Sequence, residues 1–140
     1  MIETRWIWFR GLGSECFSMK IISWNARGLG SSNKRRVIKD FLRSENPDVV
    51  MIQETKKEKC DRRFVSSVWM VRNKDWVVLP AFGASGGILF IWDSKKLCKE
   101  EVVLGSFSMS VKFALDGCGP FWISTVYGPN SRSLMKDFWV

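Results

Sequence analysis

Apolar and polar positions along the chain fall into two textures that meet near residue 75. The first begins at Met19, where "KIISW" is a short apolar run of the kind a buried strand shows. "GSSN" then offers helix caps, and "KRRVIKDFLRSENP" puts Val37, Ile38, Phe41 and Leu42 on one face at helical spacing until Pro47 forbids continuation. "VVMIQ" follows as a continuous apolar run, expected of a strand covered on both sides. The order strand, glycine turn, helix, strand predicts a right-handed crossover joining two parallel strands. Phe64, Val65, Val68 and Trp69 repeat at helical spacing between Asp61 and Met70, which predicts a second helix.

The second texture is a series of short strands: "WVVLP", "GILFIWD", "EVVLG", "FSMSVKFAL" and "FWISTVYG", separated by "AFGASG", "SKK" and "DGCGP". In "FSMSVKFAL" alternation places Phe107, Met109, Val111, Phe113 and Leu115 on one side and Ser108, Ser110 and Lys112 on the other. That pattern predicts a sheet with one buried face and antiparallel neighbours. "SRSLMKDFWV" has the spacing of a helix that has just begun, and residues 1–18 show neither period nor cap, so they are set apart as an irregular extension before a single domain at 19–140.

Composition supports a packed core rather than disorder: 46% of the residues are hydrophobic and eight are Trp. Four cysteines with no C-x-x-C pair point to reduced, mostly buried thiols and to neither a zinc knuckle nor a disulfide framework. No run approaches the roughly 18 consecutive apolar residues of a membrane span, and "RWIWFRGLG" is too short and too interrupted for a signal-peptide core. The expectation is an intracellular protein. The net charge of +8 favours an anionic partner such as nucleic acid, although mixed runs such as "KKEK" are more often a solvated face. Histidine, the commonest general base, is absent.

Three constellations could carry chemistry. Gly28 and Gly30 follow a strand and precede a helix as in a dinucleotide cradle, but Trp24 to Arg27 intervene and Asn33 stands where the third glycine belongs. "GASGG" spells a nucleophile elbow, yet a strand follows it and no histidine exists to activate Ser85. Asn25 and Glu54 end the two strands expected to be parallel, where open sheets place their ligands. Their oxygens suit Mg²⁺. Taken alone, polar residues at strand ends are more often caps than ligands.

Four segments in order, "ISWNARGL", "PDVVMIQETK", "GGILFIWD" and "VYGPN", resemble the opening motifs of the endonuclease/exonuclease/phosphatase family, with the deoxyribonuclease-I-like fold. The spelling "WNARGLG" is most similar to endonuclease domains of plant-type non-LTR (LINE-like) retrotransposons. The resemblance implies an α+β or α/β fold that is part of a two-layer β-sandwich: one mixed sheet flanked by helices, with the second half missing. It also implies Mg²⁺ (or Mn²⁺), a DNA partner and, for a functional protein, work in the nucleus. By resemblance Glu54 is the direct metal ligand, Asn25 lies beside the metal and takes part in catalysis, and Tyr127 and Asn130 hold the scissile phosphate.

The family's later D-x-N motif, a further aspartate and a closing aspartate–histidine pair find no counterpart, since Val140 stands ten residues after Asn130. The resemblance therefore implies an inherited fragment with negligible hydrolysis of its own. Its face of Phe107, Met109, Val111 and Phe113 would lack a partner and be prone to aggregate. Two other readings stay open. One is a non-catalytic nucleic-acid-binding module using Lys34, Arg35 and Arg36 with Arg62 and Arg63 on phosphates. The other is a phosphatase or lipid phosphodiesterase of the same fold.

Overall fold

The structure, a computed structural model, describes residues 2–10, 16–82, 86–105, 108–115, 118–126 and 134–139. Its centre is the predicted crossover: β2 (Cys16–Asn25) and β3 (Val49–Gln53) run parallel with Ile21 beside Val49 and Asn25 beside Gln53, joined through α1 (Ser32–Glu45). The Ser31 hydroxyl accepts the Lys34 N–H and starts the helix. At the other end Asn46 takes a left-handed φ of 49° and its N–H returns to the Leu42 carbonyl, so the chain leaves the helix just before Pro47. Ile38 and Leu42 are fully buried, each contributing about 1.5–3 kcal/mol. Val37, expected on the same face, is exposed at its edge.

β3 is covered on both sides, which is why its sequence is apolar throughout. Val50 and Ile52 face α1 and α2 (Arg62–Val68), together with Ile22, Leu89, Ile91, Val65 and Val68. Val49 and Met51 face the opposite way, into a second core with Phe90 and Trp92. The rest of this sheet is antiparallel: β5 (Ile88–Asp93) pairs with β3, and β4 (Lys74–Leu79) with β5.

The second core is closed by another sheet, and here the expectation of one sheet with an unpartnered face is corrected. Strands β6 (Cys98–Leu104), β7 (Ser108–Leu115), β8 (Cys118–Val126) and β9 (Leu134–Trp139) form a separate antiparallel sheet in that order. Met109, Val111 and Phe113 alternate inward as predicted and are completely buried, with Phe113 against Trp92 at 5.1 Å and Phe90 at 6.0 Å between ring centroids. Phe107 lies outside the described residues. The architecture is α+β with three layers: helices, a mixed five-stranded sheet and a four-stranded sheet.

Both chain ends also depart from expectation. The first residues are not irregular: β1 (Ile2–Arg10) forms an antiparallel hairpin with β2, from Ile2 beside Trp24 to Arg10 beside Cys16. The segment expected to begin a helix is β9, an edge strand on β8. Of the two thiols whose burial is described, Cys98 is exposed and Cys60 half-buried, the Cys60 pKa raised to about 11, first by burial; the burial of Cys16 and Cys118 lies outside the described residues. No helix among the described residues is long and apolar enough to cross a membrane.

Asp48 ties down the end of the sheet where β3 begins. Its Oδ2 accepts the Lys20 N–H at 2.9 Å and its Oδ1 the Lys96 ammonium at 2.6 Å. The hydrogen bond to Asp48 holds the Lys96 pKa above its ordinary 10.5, against the opposing effect of partial burial. A group whose pKa is raised in the folded state contributes fully below the unfolded value and loses that contribution as pH climbs through the raised one. Lys96→Met is therefore expected to lower stability slightly at neutral pH and to flatten the decline above pH 10.5. Urea unfolding of both proteins on either side of that pH checks this, and parallel curves would count against it.

Candidate active site at the paired strand ends

Past the tips of β2 and β3 the two chains continue side by side. Ala26 N donates to the Gln53 carbonyl at 3.0 Å, Gly28 N to that of Glu54 at 2.6 Å, and Leu29 N to that of Thr55 at 2.9 Å. This tight pairing needs left-handed backbone at Arg27, Gly28, Glu54 and Lys56, with φ of 52°, 100°, 54° and 56°. Only one of these is glycine, and a non-glycine residue held there costs of order 1–3 kcal/mol. Such strain collects where a side chain must be aimed.

Of the predicted pair, Glu54 is itself one of these left-handed residues and Asn25 is not. Glu54 is half-buried, and among the described residues its carboxylate has neither a hydrogen bond nor an ion pair. Asn25 is the register partner of Gln53, and its Oδ1 accepts the Arg27 N–H at 3.2 Å, leaving a second lone pair. The structure thus brings Asn25 and Glu54 to adjacent strand ends. Tyr127 and Asn130 lie outside the described residues, as does Ser85 of the elbow spelling. Gly86 and Gly87 lead directly into strand β5, where an elbow would need a helix.

Sequence reasoning missed Gln53. This fully buried amide donates from Nε2 to Ser23 Oγ at 2.8 Å and to Thr125 Oγ1 at 2.9 Å, joining β2, β3 and β8 across the sandwich. Among the described residues its Oε1 has no partner, an orphaned oxygen one residue before Glu54. The signal was present: a glutamine closing an apolar strand needs polar company inside. Among the described residues no three His, Cys, Asp or Glu side chains gather anywhere. A cation here would be held by one carboxylate with amide oxygens and water, a donor set that suits Mg²⁺ or Mn²⁺.

The three cations expected to meet phosphate divide. Lys34 Nζ donates to the Ala26 and Arg27 carbonyls at 2.9 and 3.3 Å, and Arg35 Nη1 to those of Leu29 and Gly30 at 2.7 and 2.9 Å. Both brace the loop after β2, while Arg36 is exposed. Arg62 lies over the Trp76 ring at 5.1 Å, and Arg63 is exposed.

Gly87 supports the other side of Glu54's loop. Its carbonyl accepts Thr55 N at 3.2 Å and that of Gly86 accepts Lys56 N at 2.9 Å. At φ +93° an added Cβ would collide with Thr55 Oγ1. Gly87→Ala is expected to cost at least about 1–3 kcal/mol in urea unfolding; a neutral result would show that this loop yields freely.

Comparison with known proteins adds three findings. The profile of the endonuclease/exonuclease/phosphatase family matches residues 22–129. No curated protein matches the chain. The crystal structure of AP endonuclease LMAP from Leishmania major is 21% identical with a TM-score of 0.42, over 84% of this chain and 38% of that one.

Proposed function

Because the chain belongs to the endonuclease/exonuclease/phosphatase family, we propose that it forms part of a Mg²⁺- or Mn²⁺-dependent phosphodiesterase that nicks DNA in the nucleus, the retrotransposon type. The observation that carries this reading is Glu54, held left-handed at the tip of β3 next to the end of β2, its carboxylate uncommitted among the described residues. A bound divalent ion would stabilise charge on phosphoryl oxygens and lower the pKa of its water. Glu54 supplies the anionic ligand and Asn25 a neutral amide beside it. By family likeness Tyr127 and Asn130 add hydrogen bonds to the scissile phosphate. Gln53 positions the site by tying its floor to β8, the strand that leads to Tyr127.

A histidine-dependent proton transfer is beyond this chain, which has none, and losing a positioned acid or base typically costs 10²- to 10⁴-fold. Supercoiled plasmid incubated with Mg²⁺ is therefore expected to survive the chain alone. It should be nicked when the chain is joined to a family segment that carries an aspartate–histidine pair, and chelation should stop the reaction. Nicking that ignores chelation would overturn the reading.

A further inference from the structure

Beside the strand ends, the chain that follows Glu54 forms one wall of a concave basic surface. Arg35, Lys57, Lys59 and Arg63 line it with Asp61, Phe64 and Ser67, around a volume of about 470 Å³. Among the described residues none of the four cations forms an ion pair. The single lining carboxylate, Asp61, has Oδ1 committed to the Phe64 N–H at 2.8 Å, where it caps α2. Arg35 and Lys57 sit 5.1 and 5.3 Å from the centre of the Phe64 ring, a contact that holds both without neutralising either. The Arg35 Nε is buried and has no acceptor among the described residues. Four cations gathered in a concavity repel one another, and the one carboxylate among them, Asp61, offsets only part of their charge.

This surface is continuous with the candidate active site. Lys57 N bonds Thr55 Oγ1, Thr55 O accepts Leu29 N, and Leu29 O accepts Arg35, so the basic wall and the loops bearing Asn25 and Glu54 are one hydrogen-bonded unit. We propose that this pocket, through Lys57, Lys59 and Arg63 with Arg35 and Phe64 behind them, holds a backbone phosphate of DNA away from the scissile bond. An extended polyanion lying over the strand tips reaches it, whereas a small anion needs no such continuity. The proposal rests on the nuclease reading for its choice of ligand, but its test does not use cleavage.

Binding of a labelled DNA duplex is followed by fluorescence anisotropy in EDTA across a salt series. Replacing Lys57, Lys59 and Arg63 together by glutamine is expected to weaken binding at least about ten-fold and to reduce the salt slope by about 1, the share of one phosphate. A charge-matched control, Arg72, Lys95 and Lys99 replaced by glutamine, removes exposed cations away from the strand tips and should change binding far less. Equal losses in both variants, or none in the first, would overturn the pocket. Circular dichroism checks folding, and Arg63→Gln alone decides the matter if the triple variant does not fold. Normal EDTA binding by an extended protein that carries the aspartate–histidine segment yet never nicks would leave the pocket standing and sink the nuclease reading; nicking by an extended protein that binds without these cations does the reverse.

Discussion

Phe113→Ala is expected to remove a large share of the chain's stability. The ring is fully buried and meets Trp92, Phe90 and Phe121 at centroid distances of 5.1, 6.0 and 6.0 Å, so it joins β7 to both the facing sheet and its own neighbour. Truncating such a residue costs about 3–5 kcal/mol, through lost transfer energy and the cavity left behind. A domain has about 5–15 kcal/mol in total. Lys112, the adjacent residue, turns outward over Trp122, and Lys112→Ala should stay within roughly 0.5 kcal/mol. Urea unfolding followed by near-ultraviolet circular dichroism reads both. If Phe113→Ala cost no more than Lys112→Ala, the two sheets would not be packed through this ring.

The second large effect falls on Glu54. In the extended, nicking-competent polypeptide Glu54→Gly is expected to reduce the rate at least about a hundred-fold, since even residues that merely orient a metal ligand are worth 10- to 100-fold. Its effect on stability should have the opposite sign. Glycine adopts φ near +54° without strain, so the variant should gain about 1 kcal/mol. Loss of rate combined with a gain in stability is the mark of a side chain kept for function against the preference of the backbone. If stability fell along with the rate, Glu54 would be a structural residue whose loss merely disturbs the loop.

How much of this was legible in the sequence depended on whether burial or pairing decides an element. α1 could be read because Ser31, Pro47 and the Ile38–Leu42 stripe each report locally, and β3 because a strand covered on both faces must be apolar throughout. β1 could not. It is an edge strand with Ile2 and Trp6 exposed, held by its ladder with β2 and leaving no alternation to detect. In β9, Leu134, Met135 and Phe138 suit either period, and long-range pairing with β8 decides. The division into two sheets was hidden for a related reason. The turn at Ser94–Lys96 looks like any hairpin in sequence, yet β6 after it leaves β5 for the other sheet.

The candidate site follows the same rule. Asn25 and Glu54 were visible as polar endings of apolar runs. The left-handed backbone at Glu54 was not, because it is imposed by three hydrogen bonds between segments 26 or 27 residues apart, as in Gly28 N to Glu54 O. Nor could the sequence show that Lys34 and Arg35 turn back to hold the loop after β2, whereas Lys57 and Arg63, twenty and more residues on, face a common pocket.

The proposed phosphodiesterase requires a single hard cation to bind where β2 and β3 end. Adding Mn²⁺ to the isotope-labelled chain and recording its amide resonances tests it without any cleavage. Broadening should centre on residues 25–29 and 53–57 and vanish in Glu54→Gly. Broadening centred elsewhere, or unchanged when Glu54 is replaced, would contradict it.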